Sequence, residues 1–176
     1  TSSICTYDVT QASMPQVSVT GTFSSPYNAN LRDCAVNSDY SRVYYSRNGT
    51  TPDGYAVVQD PTPGDGDLSG LSSTGIYQAS GTNTIGAMGL GLWQVSGKEY
   101  LLVPDVTGKK VTIIDVDTSN PSASSVVLHV GSSAMLSTIR DACVGSIGGT
   151  NYLFVTDVGT SANEAEIEIF QLNGFA

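Results

Sequence analysis

The stretch YLLVPDVTGKKVTIIDV, from Tyr100 to Val116, decides the fold class of this 176-residue chain. It holds two runs of apolar and β-branched residues, separated by a short polar turn that contains a glycine. Runs of this length and composition, bounded by turn residues, are typical of neighbouring antiparallel strands. We therefore predict a β-hairpin here, and similar runs elsewhere predict a chain built from strands.

Twelve strands and no helix are predicted in all, because no window of the sequence shows the 3.6-residue periodicity of an amphipathic helix. Gly, Pro, Asn and Asp clusters separate the apolar runs, as expected of turns. The predicted strands are 16–23, 31–36, 42–46, 55–59, 75–79, 85–93, 99–104, 110–116, 125–130, 139–145, 152–156 and 165–172.

Three segments of the same pattern begin at Asn30, Thr84 and Thr138, at a spacing of about 50 residues. Each has a strand of small residues, a polar turn and a strongly apolar strand, and then continues into a further strand. The first and third segments contain the closely similar sequences LRDCAV and IRDACV. A repeat of about 40 to 50 residues with four strands is typical of a β-propeller blade.

The stretch Tyr100 to Val116 resembles the second-strand, turn and third-strand unit of NHL and YVTN-type β-propellers. A looser copy with a longer turn runs from Tyr152 to Leu172, and Arg42 to Asp60 is looser still. The resemblance implies architecture rather than activity, because such propellers serve many functions. It implies an all-β, propeller-type domain at 16–176 behind an N-terminal arm at 1–15, with blades at 31–79, 85–130 and 139–172.

Counting strands assigns four to each of the first two blades but only three to the third. The leading strand 16–23 belongs to none of these blades. Three blades do not close a ring, since propellers have about four to eight. We therefore expect the leading strand to complete the third blade of a neighbouring chain, giving a homo-oligomeric ring or a filament. A fragment of a longer propeller and a β-sandwich remain alternatives. The residues assigned to this exchange are Gln16, Val17, Val19, Thr20 and Phe23.

The amino-acid composition limits the classes of binding partner and the cellular compartment that we expect for this protein. A formal net charge of −9 with only seven Lys and Arg argues against nucleic-acid or anionic-lipid partners, which need a basic surface. No apolar run approaches the length of about 18 residues typical of a membrane span. A low Lys content and abundant Ser and Thr predict an extracellular protein, and a first residue that is not Met predicts a processed one. Asn48 begins a glycosylation acceptor sequence.

Catalytic chemistry is not expected, because the single histidine, His129, falls on a predicted outer strand with no nucleophile motif nearby. One acidic loop is a candidate calcium site, although it lacks the spacing of an EF-hand and a solvated turn is the alternative. Its residues are Asp60, Asp65 and Asp67. No other cofactor is expected. Asp105 and Asp157 recur at strand ends and are predicted to accept backbone N–H bonds.

The predicted inner strands carry a candidate axial ligand site. Two alternative functions would use this chemistry: a carbohydrate-binding lectin with glycan sites between blades, and a metal-dependent, lactonase-like hydrolase. Neighbouring Arg and Asp residues could instead form structural ion pairs. The residues of the candidate axial site are Arg32, Asp33, Trp93, Arg140 and Asp141.

The cysteines fit the assembly hypothesis. Cys34 and Cys143 occupy nearly equivalent places in the first and third repeats, and Cys5 precedes the exchanged strand. An interchain disulfide would add a few kcal/mol to the assembly, and three buried free thiols are the alternative. The main prediction is a non-catalytic, extracellular scaffold protein whose partner is a second copy of itself.

Overall fold

The computed structural model of the chain describes residues 4–7, 16–20, 31–39, 41–47, 54–59, 72–77, 87–119, 124–160 and 165–175. Side chains are described within 32–39, 41–46, 87–119, 124–160 and 165–175. Every regular element in these residues is a β-strand, which confirms the predicted all-β class. The described residues include no helix long and apolar enough to cross a membrane.

Thirteen strands are present in this part of the chain. They are β1 (Ile4–Tyr7), β2 (Gln16–Thr20), β3 (Leu31–Val36), β4 (Arg42–Arg47), β5 (Gly54–Gln59), β6 (Ser72–Tyr77), β7 (Gly91–Val95), β8 (Lys98–Asp105), β9 (Lys110–Val116), β10 (Ser125–Val130), β11 (Ile139–Ile147), β12 (Thr150–Asp157) and β13 (Glu166–Leu172).

Eleven of the thirteen described strands form three antiparallel sheets in which chain neighbours are also spatial neighbours. Sheet I has the order β3-β4-β5-β6, sheet II has the order β7-β8-β9-β10, and sheet III has the order β11-β12-β13. Strands β1 and β2 pair with each other in a separate two-stranded sheet. Each of the three sheets therefore coincides with one repeat of the sequence.

Most strand boundaries agree with the prediction, and β3, β9 and β10 agree to the residue. The predicted strand 85–93 is wrong at its start, because β7 begins only at Gly91 and a single bridge joins Ala87 to Asp105 before it. A Cβ on Gly89 would lie 2.4 Å from the Arg140 backbone oxygen. The close approach of two backbones thus replaces regular pairing in this stretch. Strand β1, inside the predicted arm, was not predicted.

Two tight turns set the register of the inner hairpins. Ser96 and Gly97 both have positive φ, and so do Gly148 and Gly149. Two-residue turns of this handedness match the twist of the flanking strands. The β7–β8 and β11–β12 hairpins therefore turn at equivalent places in sheets II and III.

Sheet II is the middle layer, and a buried cluster covers each of its two faces. Burying one large aliphatic side chain contributes about 1.5–3 kcal/mol, so these clusters supply much of the stability. The cluster shared with sheet III contains Tyr100, Leu102, Val111, Ile113, Val130, Leu136, Ile139, Ala142, Leu153, Val155 and Leu172. The cluster shared with sheet I contains Tyr44, Ala87, Leu90, Leu101, Val103, Ile114 and Val116.

The pairing registers align the three sheets residue by residue. Leu31 pairs with Arg47 and Ile139 with Asp157 at the start of their inner strands, and the isolated bridge from Ala87 to Asp105 takes the same place before β7. Counting from these pairs gives two sets of equivalent positions on the inner strands. One set is Ala35, Gly91 and Cys143; the other is Cys34, Leu90 and Ala142.

Candidate functional site

Glu99 lies at the centre of a buried polar cluster between sheets I and II. Its Oε1 lies 3.1 Å from Asn37 Nδ2, 3.3 Å from Arg42 Nη1 and 3.3 Å from Gln94 Nε2. Its Oε2 accepts the hydroxyl of Tyr44. Only 6% of Glu99 is exposed, and a carboxylate is tolerated there because each oxygen has charged or polar partners. The cluster ties β4 to β7 and β8.

A polar cleft of ≈ 430 Å³ opens over this cluster. One wall is the turn after β3, where Ser41 Oγ donates to Asp39 Oδ1 at 2.6 Å. Arg42 points into the same region, and its buried Nε has no hydrogen-bond partner among the described residues. Donors and acceptors therefore face one concave surface. The cleft is lined by Ser38, Asp39, Arg42, Gln94, Val95, Ser96, Gly97, Lys98, Glu99 and Thr118.

Asp157 closes the loop before β11, as predicted for a carboxylate at a strand end. It accepts the N–H groups of Ser137 and Thr138 at 2.6 and 2.8 Å and that of Gly159 at 3.0 Å. Burial alone would raise the pKa of Asp157, but these bonds and the Ser137 hydroxyl lower it to about 2. Asp157 is therefore a structural anion rather than a proton donor.

Asp105, at the equivalent place in sheet II, also accepts a backbone bond, from Gly108 N–H at 2.7 Å. Here burial dominates and raises the pKa of Asp105 above its ordinary value, against the smaller opposite effects of that bond and of Lys110. The predicted bonding role is confirmed for both residues. Their environments differ because Asp157 has three N–H donors and Asp105 has fewer.

The structure brings only part of the candidate axial site together. Asp33 accepts the N–H of Leu90 at 3.1 Å, so it links β3 to the strand start of sheet II. Asp141 lies on the other side of the same segment, with Oδ1 3.0 Å from where a Cβ on Gly89 would be. Trp93 lies further along and packs against Tyr100 and Phe175, with ring centroids 5.2 and 5.3 Å away.

The expected ion pairs within this set do not form. Arg32 and Arg140 are exposed, and neither pairs with the Asp that follows it. Both Arg residues lie where the strand pairing shifts register, between Leu31 and Cys34 and between Ile139 and Asp141. Among the described side chains, the alternative of structural Arg–Asp ion pairs is therefore not supported for Arg32 and Arg140.

One face of sheet III is apolar and uncovered, and we call it the open face. Ile167 and Ile169 on β13 are 63% and 58% exposed, and Ile147 on β11 is 63% exposed. Cross-strand pairing places Cys143, Phe154 and Ile169 side by side on this face. A hollow of ≈ 260 Å³ on this face is lined by Cys143, Phe154 and Ile167, among others. The open face consists of Asp141, Cys143, Ile147, Phe154, Thr156, Ile167 and Ile169.

Cys34 and Cys143 are both free and exposed in the chain. They occupy nearly equivalent places, as predicted, and the register puts them one position apart, because Cys34 corresponds to Ala142 and Cys143 to Ala35. Since successive residues of a strand face opposite sides of a sheet, the two thiols lie on opposite faces of their sheets. Buried thiols, the alternative to a disulfide, are excluded for these two.

Several predicted sites fall outside the described part of the chain. Asn48, the candidate calcium ligands Asp60, Asp65 and Asp67, and Phe23 lie there, as do the side chains of Cys5, Gln16, Val17, Val19 and Thr20. Among the described side chains, no group of three or more His, Cys, Asp or Glu could hold a metal ion. His129 is exposed on β10, with Nδ1 3.1 Å from Thr112 Oγ1.

No family model matches the sequence, and no curated protein matches it. Function is therefore inferred from the geometry of the chain.

Two features of the site were missed at the level of sequence. The alternation in EIEIFQL, from Glu166 to Leu172, signals one apolar face, but it does not say whether another sheet covers that face. The charged residue Glu99, at the start of an apolar strand, was a second signal. Apart from Gln94, its partners come from a turn and a strand about 60 residues earlier in the chain, such as Asn37.

Proposed function

We propose that this protein is a non-catalytic, extracellular, propeller-type subunit that assembles with copies of itself into a scaffold. Three successive antiparallel sheets, packed face to face with one sheet per repeat, support the propeller-type architecture. In this proposal sheets I, II and III are three blades, and β3, β7 and β11 are their inner strands.

The observation that carries the proposal is the incomplete state of sheet III. Among the described strands it has three, whereas sheets I and II have four. Its open face also leaves Ile147, Ile167 and Ile169 more than half exposed. An exposed apolar face beside an unpaired strand edge is typical of a protein interface and is otherwise an aggregation hazard.

Strand addition offers a mechanism for completing sheet III. Strand β2 pairs with β1 along one edge, and β13 pairs with β12 along one edge. A second edge on each strand can form main-chain hydrogen bonds with another chain, which is the usual basis of β-augmentation. We propose that β2 of one copy pairs with β13 of the next.

Native mass tests the proposal directly. Light scattering and electron microscopy of the intact protein should show a closed ring or a regular polymer, and deletion of residues 1–24 should reduce it to the monomer. The single tryptophan, Trp93, packs against Tyr100 and Phe175, so unchanged Trp93 fluorescence would show that the deletion variant is folded. A folded monomer at all concentrations of the intact protein would refute self-assembly.

Substitution in the full-length chain gives a milder test of strand addition. Lysine at both Val17 and Val19 should weaken assembly, because edge lysines disfavour strand pairing. The matched control is Lys at Val127, which is 43% exposed on β10. Equal assembly of the two variants would exclude β2 as the exchanged strand.

Glycan binding is a second candidate function, favoured by the polar cleft over Glu99. The cleft lies between two sheets and combines Arg42, Lys98 and Gln94 with carboxylates, a donor and acceptor set that suits sugar hydroxyls. Calorimetric titration with simple sugars should then give saturable binding that Gln94→Ala removes. Heat changes that do not saturate, or that Gln94→Ala leaves intact, would exclude a glycan site here.

A further inference from the structure

The two packed interfaces within the chain follow one rule at the inner strands. A Cβ on Gly91 would lie 2.3 Å from the backbone oxygen of Ala142, so these two positions meet between sheets II and III. Between sheets I and II, Ala35 packs against the cluster that contains Leu90. Ala35 is equivalent to Gly91, and Leu90 is equivalent to Ala142. Both interfaces are therefore lined by the same two sets of positions, and Asp33, next to Cys34, bonds the N–H of Leu90 across the first of them.

The two outermost sheets of the chain each present one member of this pair, and both members are cysteines. Cys143 on sheet III is equivalent to Ala35 and Gly91 and lies on the open face. Cys34 on sheet I is equivalent to Leu90 and Ala142 and is exposed. A third interface built by the same rule would bring Cys143 against Cys34. Within one chain sheet II lies between them, so this contact needs a second copy.

We propose that the open face of sheet III docks on the face of sheet I that carries Cys34 in a second copy of the chain, in the register that places Cys143 against Cys34. The proposal rests on the proposed self-assembly and names its contact surface. The contact is head-to-tail, because two different faces meet, and it produces a ring where the rotation closes and a filament where it does not.

An aspartate supports this register. Asp33 Oδ1 accepts the N–H of Cys34 at 2.8 Å, while Oδ2 accepts the N–H of Leu90 across the interface. Asp141 repeats the first bond, since its Oδ1 accepts the N–H of Ala142 at 2.8 Å. By the same rule, Asp141 Oδ2 faces the backbone N–H of Cys34 in the second copy. The interface between sheets I and II is thus the template for the contact.

The steric fit also favours that template. Gly91 leaves no room for a side chain against sheet III, but Ala35 has a Cβ and still packs against sheet II. Cys143 needs the wider spacing that Ala35 has. On sheet I the open part is the inner strand, where Val36 is 47% exposed, whereas Tyr45 on the next strand is 1% exposed. The Cys143–Cys34 contact therefore forms between β11 and the open inner strand β3.

Disulfide trapping tests the register in the full-length protein. In a Cys5→Ser background only Cys34 and Cys143 remain. Oxidised glutathione removes two electrons and two protons from one Cys143–Cys34 thiol pair, giving one protein disulfide and two reduced glutathiones. Burial and Asp33 raise the pKa of the Cys34 thiol, so the reaction should be run at about pH 8.5, where more thiolate forms. A covalent dimer or ladder is expected on non-reducing gels.

Single-cysteine variants separate this contact from any other thiol pairing. In the Cys5→Ser background, Cys34→Ser alone and Cys143→Ser alone should give no covalent species. The two variants co-expressed should give a covalent dimer only, with mass spectrometry finding Cys34 joined to Cys143. Cross-linking in either variant alone, or no cross-linking in the co-expressed pair, would overturn the proposed register.

Maleimide labelling provides a second measurement that needs no oxidation. Both thiols should label in the dilute monomer and be protected in the assembled state. Assembly with full labelling of both would show that the chain self-assembles through other surfaces, which overturns this inference and leaves the proposed function standing. A chain that never assembles would overturn both.

Discussion

Two faces of this molecule have similar side chains at equivalent positions, but only one of them is covered. On the face of sheet II that packs against sheet III, Val111 and Ile113 are 0% exposed. On the open face of sheet III, the equivalent residues Ile167 and Ile169 are 63% and 58% exposed. The difference comes from position in the stack, because sheet II has a sheet on each side. In the described part of the chain, a core-like face of sheet III is therefore left exposed.

This contrast separates two causes of an apolar strand face. Apolar side chains make a sheet face suitable for burial, but the face is buried only where another sheet packs against it. Large exposed apolar patches are more often interaction sites than the rest of a protein surface is. The repeat thus carries an interface within the chain and, in our proposal, repeats it between chains.

Placing an Asp on the buried face of sheet II and then on the open face of sheet III should produce the largest difference in stability. Ile113→Asp places an unpaired carboxylate in the buried cluster and should destabilise the fold by more than about 4 kcal/mol, or prevent folding. Ile169→Asp should leave the free energy of unfolding of the monomer within about 0.5 kcal/mol and should abolish assembly. Urea unfolding at low protein concentration measures the first effect, and light scattering measures the second.

If Ile113→Asp does not fold, the milder substitutions Ile113→Ala and Ile169→Ala still allow the two faces to be compared. The first should cost about 2–5 kcal/mol, as buried Ile-to-Ala changes do, and the second less than about 1 kcal/mol. Equal costs at the two positions would mean that something covers the open face within the monomer.

The equivalent aspartates sharpen the same comparison at the strand ends. Asp157→Asn should cost about 2 kcal/mol at pH 7, because it removes a charged acceptor of several N–H bonds. Asp157 has a pKa of about 2 in the fold against an ordinary value of 3.8. Its contribution is present above the ordinary value and is lost as the pH falls from about 4 to 2. The difference between wild type and Asp157→Asn should therefore shrink over that range.

Asp105→Asn should show the opposite pH dependence. Burial raises the pKa of Asp105, so the folded state holds its proton more tightly than the unfolded chain does. The contribution of Asp105 is then present below its ordinary pKa and is lost as the pH rises through the raised value. Urea titrations of both variants from pH 2.5 to 7 would check the signs, and parallel curves would contradict the different environments of the two carboxylates.

Much of the fold was predictable from sequence because the signals are local. Strand β9, with alternating and β-branched residues between turn residues, was placed to the residue. Strand β7 was placed wrongly at its start, since Gly89 and Gly91 are shaped by the backbone of β11 about 50 residues away. The local sequence pattern predicts where strands form. It does not predict where the backbones of two sheets approach each other closely, because that depends on tertiary packing.

The site was less predictable for the same physical reason. Recurrence at strand ends indicated that Asp105 and Asp157 would bind backbone N–H groups, and it was correct. Recurrence also indicated that Cys34 and Cys143 occupy nearly equivalent places, and the register shows that they are one position apart. A shift of one residue reverses the face of a strand side chain. The position of each thiol on its sheet therefore needed the pairing, which the sequence does not contain.

The smallest expected effect concerns the inner strands, where the two faces differ in the room they leave for a side chain. Gly91→Ala should cost about 1–3 kcal/mol, because its Cβ would meet the Ala142 backbone oxygen and force the sheets apart. The matched change Cys143→Ala, at the equivalent place on the open face, should alter the monomer by less than about 0.5 kcal/mol. Thermal unfolding of dilute protein measures both. A neutral Gly91→Ala would show that sheets II and III separate easily at their inner strands, and the packed interface would then be a poor template for contact between copies.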